Sequence, residues 1–396
     1  MGDFVRLVRI GHTHTGRPSR EVSLAHVGQQ DLSQLTIVIP TVSRPKFVLR
    51  QFEYWRLTNA EVVILDGALS PIEVPTPLLS PNIRYVHTGT RFNERLATAS
   101  QFVHTKYCAL LCDDEFFTVS GLRASIERLE SDESIIGCVG RSLYFFVDQG
   151  RFLLKDAYRE WRPFSRAATS LQVRLDEDLP PNKTHKAQFA VMRSDAWKSM
   201  YESAYATYFS SGYTYERILN LQRTILGKTD VLECLLWFRS MENPPISNES
   251  VPRVAGRDFL SWARNPEFAS EVSVYRDIAR DLLLAAGLSS SDAIRLEERF
   301  FVDGVQQTVI RKSKLSKRLR DKFRQHLLTW SPKRLRLFVK RHLPNQLLAI
   351  TGWQGYEIDQ MCLSLAERGT YFERGEIEHI ENLSLKTAGH AEDEVG

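Results

Sequence analysis

The sequence predicts an α/β fold: a mainly parallel sheet with helices on both faces, followed by a helical C-terminal region. Three observations point there. Short, almost wholly apolar runs of strand length recur, stretches with a helical apolar period separate them, and polar or acidic residues stand directly after the runs. A strand buried on both faces reads as a continuous apolar run rather than an alternating one, and helices packed on a parallel sheet provide that burial.

The first run, Leu35–Ile39, is β-rich and ended by Pro40. After the loop Thr41–Arg44, Pro45 suits the first turn of a helix, and Val48, Phe52 and Trp55 share one helical face. A second strand is predicted over Val62–Leu65, ending in Asp66-Gly67, and a third over Ile83–Val86. Phe92, Leu96, Ala99 and Val103 mark a helix, and Tyr107–Cys112 a fourth strand that runs straight into Asp113-Asp114-Glu115. Val119, Leu122, Ile126 and Leu129 mark the next helix. Further strands are expected at Ile135–Val139, Leu143–Val147, Ala187–Met192 and Val231–Phe238. Helices are expected from Ser194 and from Thr214, the latter with Glu216 in its first turn. Pro244-Pro245 closes this region, and helices follow from about residue 255. The expected organisation is a polar tail over 1–32, a catalytic domain over 33–250 and a helical region over 251–396.

Composition excludes several classes. Hydrophobic residues are 43% and charged residues 25% of the chain, the balance of a globular protein, and no apolar run reaches the roughly 18 residues a membrane span needs. The first residues lack the apolar stretch of a secretory signal, and Arg6 stands where a myristoylation motif wants Ser or Thr, so a cytoplasmic protein is expected. Five cysteines, an odd number without a CxxC pair, read as buried free thiols of a reducing compartment, and no structural zinc site is expected. Net charge is only +4, yet Arg311–Arg341 holds thirteen basic residues against the single acid Asp321. The remainder has 39 basic and 47 acidic residues. Such a local block says more about a partner than the isoelectric point does.

In open α/β sheets ligands bind at the carboxyl ends of the strands. That rule gives Thr41–Arg44, Asp66 and Asp113–Glu115 one location. Three successive acids at a buried strand end need a compensating cation, because unpaired carboxylates taken from water cost several kcal/mol each, roughly. An all-oxygen cluster suits Mg²⁺ or Mn²⁺, with open positions left for phosphate oxygens. The competing reading is an acidic turn that favours the start of the next helix.

The order Thr36–Thr41, then Val63–Gly67, then Tyr107–Glu115 resembles the GT-A fold glycosyltransferases of the family-two type. It is most similar to a bacterial, polysaccharide-associated subset with an Ile-Pro-Thr start and an Asp-Asp-Asp-like metal motif. The resemblance covers about residues 33–245 and rests on three short motifs in order. It implies that Pro40 and Thr41, with Arg44 in the same loop, lie against the nucleotide, that Asp66 holds the base, and that Arg95 faces the nucleotide. Asp113 and Asp114 match the metal-binding pair, with Glu115 where many members have a third Asp; Asp114 is the position that usually touches the metal. Asp66 is followed by Gly-Ala rather than Asp-Gly-Ser. Glu216 falls where such enzymes carry the general base, followed here by Arg217 instead of Asp. The other reading of Glu216 is a first-turn acid favouring its own helix, and Asp195 is a second candidate base that reads more simply as a helix-start residue. His185 and Lys186 are candidate acceptor contacts or an exposed loop. The implied activity is metal-dependent, inverting transfer from a nucleotide-sugar donor, UDP-linked, to a saccharide or lipid-linked acceptor.

Leu315, Leu319, Phe323, Leu327 and Trp330 form an apolar stripe flanked by Lys and Arg, so 311–343 reads as a basic amphipathic segment. Two readings stay open: peripheral contact with the anionic inner face of a membrane, or packing of the stripe on the catalytic domain. Nucleic acid is not an expected partner, since the aromatics lie on the stripe rather than among the basic residues. Two rival functions are a nucleotidyltransferase acting on sugar phosphates and a non-catalytic carbohydrate- or membrane-binding protein. The first wants a glycine-rich phosphate loop after its first strand, which Pro40–Arg44 is not.

Overall fold

Strand β1, Leu35–Thr41, is enclosed on both faces, with Leu35, Ile37, Val38 and Ile39 fully buried. The computed structural model describes residues 31–157, 168–178, 187–242, 259–302 and 355–393. β1 pairs in parallel with β2 (Glu61–Asp66) on one side and with β4 (Tyr107–Leu110) on the other, and β2 pairs in parallel with β3 (Ile83–His87). The chain therefore moves outward from β1 through β2 to β3 and then returns across β1 to lay down β4. That reversal makes a topological switch point between β1 and β4, the kind of position at which open α/β sheets bind their ligands.

Beyond β4 the sheet becomes mixed. The strand order is β3-β2-β1-β4-β8-β6-β9-β5, with β7 paired to β6. β8 (Val191–Arg193) runs antiparallel between β4 and β6, and β6 (Ile135–Asp148) runs parallel to β9 (Lys228–Ser240). β5 (Phe116–Phe117) pairs antiparallel with β9, and β7 (Arg151–Ala157) antiparallel with β6. The two runs expected at Ile135–Val139 and Leu143–Val147 form one continuous strand. The intervening Gly140 lies so close to β9 that a Cβ there would be 2.6 Å from the Leu236 side chain, so glycine marks close strand approach here rather than a turn. The turn comes later, at Gln149 and Gly150, whose φ angles of 50° and 70° suit a two-residue hairpin into β7. The strand expected over Ala187–Met192 is a short 3₁₀ turn followed by β8.

The helices cover the faces. α1 (Pro45–Trp55) begins with its proline and buries Val48, Gln51, Phe52 and Trp55. α2 (Phe92–Thr98) is followed by a 3₁₀ turn over Ala99–Phe102, so the expected helix is broken near Thr98. α3 (Val119–Ser131) is capped by Thr118, whose hydroxyl accepts from the Gly121 amide at 3.1 Å, and buries Leu122, Ile126 and Leu129. α4 (Leu171–Asp178), α5 (Ser194–Tyr205) and α6 (Gly212–Leu226) follow.

The C-terminal region is helical and continuous with this core. α7 (Phe259–Arg264), α8 (Ala269–Ala285) and α9 (290–302) pack together, and onto Phe209 just before α6, through Trp262, Tyr275 and Phe300. α10 (Ile358–Glu367) and α11 (Arg374–Asp393) close the other side. On α11, Glu376 accepts from the amide and hydroxyl of Ser120 at 2.8 and 2.6 Å, and His379 stacks on Tyr54. Upstream, Leu32 is fully buried. Among the described residues no helix is long and apolar enough to cross a membrane. The five cysteines are unpaired. The basic segment 311–343 and the pair His185 and Lys186 lie outside the described residues.

Candidate active site

The end of β1 and the turn after β4 meet through side chains. Thr41 is the last residue of β1 and donates its hydroxyl to Asp113 Oδ2 at 2.6 Å. In the parallel register Thr41 stands opposite Asp66, the last residue of β2, and the Gly67 amide donates to the Thr41 carbonyl at 3.0 Å. Thr41, Asp66 and Asp113 thus share one rim, as strand-end positions of a parallel sheet should.

Arg44 reaches across this rim. Its Nη1 donates to Asp113 Oδ1 at 2.5 Å and its Nη2 to Asp114 Oδ2 at 3.1 Å. It occupies the N-cap position of α1, yet its side chain does not cap the helix. The preceding Ser43 has a φ of 52°, in the left-handed region that a non-glycine residue enters at a cost. That twist directs the chain from the strand end so that Arg44 faces the acids. Pro40, partly buried, precedes Thr41 within the same strand end.

The three acids are arranged differently from one another. Asp113 is turned toward Thr41 and Arg44. Asp114 and Glu115 instead come together with Cys112, and one ligand atom from each of these three lies within 4.8 Å of the others. Glu115 accepts from the Trp237 indole N–H at 2.9 Å and has Arg239 at 3.8 Å. Burial pushes the Asp113 carboxyl up to about 7; Asp114 adds to the rise, and Arg44 and Thr41 oppose it. Burial and the charge of Asp114 push Glu115 up to about 8, against Arg239 and Trp237. Burial, with the neighbouring acids, holds the Cys112 thiol well above its ordinary value. A buried carboxylate group of this density favours any added positive charge.

The backbone of the acid turn is held from beneath by α1. Gln51 Nε2 donates to the carbonyls of Asp113 and Glu115 at 2.9 and 2.8 Å, while its Oε1 accepts from the Trp55 indole at 2.8 Å. Arg50 Nη2 donates to the Asp114 carbonyl at 2.7 Å and its Nη1 to Glu242 at 2.8 Å, with its guanidinium over the rings of Phe47 and Phe116. Three consecutive carbonyls are therefore fixed by two adjacent side chains. Sequence reasoning missed both residues, although Gln51 gave a signal. It falls three residues after Val48 and four before Trp55, a polar residue inside an apolar stripe. Trp237 and Arg239 gave none, because they arrive from a distant strand.

Asp66 is fully buried, and both carboxylate oxygens are engaged: the Ala68 amide donates to Oδ1 at 2.9 Å and the Tyr85 hydroxyl to Oδ2 at 2.6 Å. Arg95 lies buried beside Asp66, its Nη1 donating to the Thr90 carbonyl, and burial lowers its basicity. Gly67 makes room for it. A Cβ at that position would lie 1.4 Å from Arg95 Nη1, which accounts for glycine directly after Asp66.

Glu216 lies on α6, half-buried. Because that helix begins at Gly212, Glu216 sits in its second turn, so the first-turn dipole reading does not apply. Buried Tyr205 stacks on Tyr215, and burial, with the charge of Glu216, raises the Tyr205 phenol above its ordinary value. Arg217 points the other way: its guanidinium donates to the Phe300 carbonyl and to the Tyr275 hydroxyl, tying α6 to α8 and α9. Asp195 opens α5, in the first turn of that helix.

No family model matches this chain, and no curated protein matches it. Among solved structures, S. aureus TarS 1–349 in complex with UDP-GlcNAc is similar at 11% identity with a TM-score of 0.44, over 68% of this chain and 72% of that one. S. aureus TarS 1–349 gives 11% identity and 0.43 over 89% and 90%. The complex with UDP gives 12% and 0.38 over 74% and 91%. Likeness of this degree leaves the chemistry of the site to be read from its own residues.

Proposed function

We propose that the chain is a metal-dependent glycosyltransferase of GT-A type. It moves a sugar from a UDP-linked donor to a hydroxyl of a saccharide or lipid-linked acceptor, with inversion. The observation that carries this reading is the placement of Asp113–Glu115 at the switch point of the parallel strands, joined through Thr41 to the strand end that bears Asp66. A donor set of two buried carboxylates, Asp114 and Glu115, fits Mn²⁺ or Mg²⁺, and the raised carboxyl values of Asp113 and Glu115 mark a site short of positive charge. The adjacent Cys112 thiol, held protonated, is a weak donor and leaves the carboxylates as the ligands. When bound, the ion neutralises the negative charge that builds on the departing diphosphate.

The chain's own residues supply the rest. Pro40, Thr41 and Asp66 frame the nucleotide at the ends of β1 and β2, with Arg95 adding positive charge behind Asp66. Asp113 fixes Thr41 relative to the metal acids. Arg50 and Gln51 hold the turn rigid, so its carboxylates need little reorganisation when the donor arrives. Glu216 accepts the proton of the acceptor hydroxyl as its oxygen bonds to the anomeric carbon and the bond to the diphosphate breaks.

The test is release of UDP from a panel of UDP-sugars with Mn²⁺, using the native chain, Asp114→Ala and Glu216→Gln. Asp114→Ala should lose both UDP release and the thermal stabilisation given by UDP with Mn²⁺. Glu216→Gln should keep the stabilisation and lose transfer. A native chain that neither releases UDP nor is stabilised by UDP with Mn²⁺ ends the proposal.

A further inference from the structure

We infer that Arg44 is a resident counter-cation which makes divalent-metal binding conditional on the diphosphate, an inference that rests on the donor reading above. Its guanidinium spans Asp113 and Asp114, one nitrogen on each carboxylate, and so sets a positive charge directly against an acid that a metal would use. A guanidinium and a divalent cation a few ångströms apart repel, so each weakens the other's hold on Asp114.

Arg44 is built to leave, and its neighbour Arg50 is not. The Arg44 side chain is 32% exposed, stands on a short loop and rests on one face of Phe47 at 4.7 Å. The Arg50 side chain is 1% exposed, ion-paired to Glu242 and enclosed by rings. Withdrawing Arg44 from the acids costs it two charged hydrogen bonds unless an anion takes their place. A diphosphate arriving at the same rim is that anion, and a planar guanidinium matches phosphate oxygens with two parallel hydrogen bonds. Arg44 then exchanges carboxylates for phosphate while the metal takes Asp114 and Glu115. Metal and diphosphate each remove the obstacle to the other, so their affinities are coupled, and linkage makes the coupling reciprocal.

The test is Mn²⁺ titration of the full chain, followed by electron paramagnetic resonance of free Mn²⁺, with and without UDP. The native chain, Arg44→Ala and Arg44→Lys are compared, and thermal unfolding confirms that each is folded. The native chain should bind Mn²⁺ at least about tenfold more tightly with UDP than without it. Arg44→Ala should bind Mn²⁺ alone about tenfold more tightly than the native chain does, with most of the UDP enhancement gone. Arg44→Lys, which keeps the charge without the fork, should fall between them. If Arg44→Ala and Arg44→Lys bind Mn²⁺ alone no more tightly than the native chain while UDP still enhances binding, the role of Arg44 is refuted and the donor reading survives. If UDP binds the native chain and Mn²⁺ binds neither with it nor without it, Arg44 replaces the metal and the inference is overturned. If neither UDP nor Mn²⁺ binds any form, the donor reading falls with it.

Discussion

Replacing Gln51 with alanine removes the side chain that holds the acid turn in place. In the native chain its amide nitrogen serves the carbonyls of Asp113 and Glu115, and its oxygen serves the Trp55 indole, all three bonds being 2.8–2.9 Å and buried. Gln51 is fully buried, so water does not replace these partners without entering the core. Each stranded buried group costs about 1–3 kcal/mol. Three groups give about 3 kcal/mol at the low end, a large part of the roughly 5–15 kcal/mol that holds a typical protein folded. Urea unfolding followed by tryptophan fluorescence should show the midpoint fall accordingly, and Mn²⁺ affinity in the presence of UDP should fall as the turn loosens. Gln51→Met separates the hydrogen bonds from the cavity, since methionine nearly restores the volume and strands the same three groups. Both variants should be destabilised to a similar extent. A Gln51→Met protein within about 1 kcal/mol of native stability would refute the clamp, because packing alone would then account for the residue.

Three more outcomes are expected. Burial pushes Glu376 up to about 7, against its bonds from Ser120, from an unfolded value of 4.5. A carboxyl raised on folding contributes stability that is complete below the unfolded value and lost as pH rises through the folded one. The native chain should therefore lose stability between about pH 4.5 and 7.5, and Glu376→Gln should make that loss shallower, with Asp113 and Glu115 still contributing, in thermal melts read across pH. Gly121→Ala puts a Cβ 2.4 Å from the Leu235 carbonyl and 2.8 Å from Leu236 Cα, both backbone atoms of β9. The clash should exceed the helix-propensity gain and destabilise the chain by about 2 kcal/mol, measured by urea unfolding. Gly67→Ala should drive Arg95 from its place beside Asp66 and weaken UDP binding in calorimetry by about tenfold, or 1.4 kcal/mol; unchanged affinity would remove Arg95 from the nucleotide site.

The sequence by itself determined the elements that local patterning controls. Almost wholly apolar, β-rich runs at Leu35–Ile39 and Val62–Leu65 matched strands covered on both faces. Acids directly after such a run were expected at a strand end: Asp66 closes β2, whereas β4 stops at Leu110, short of the expected Cys112, and Asp113 stands in the turn beyond it. Pattern also misled where a neighbour decided the outcome. The strands expected at Ile135–Val139 and Leu143–Val147 are one, and Gly140 between them lies where β9 comes too close for a side chain. Glu216 looked like a first-turn acid, but its helix starts at Gly212, two residues before the expected Thr214, after Ser211 at the N-cap. What only the tertiary structure decided is which groups face one another. No spacing in the sequence pairs Arg44 with Asp113, Trp237 with Glu115 or Gln51 with three partners at once, since those meetings depend on which strands are neighbours and how far each helix is rotated. The division of the three acids, Asp113 toward Arg44 and Asp114 and Glu115 toward Cys112, has the same origin: a tight turn aims successive side chains apart, and only its anchoring by Arg50 and Gln51 sets the directions.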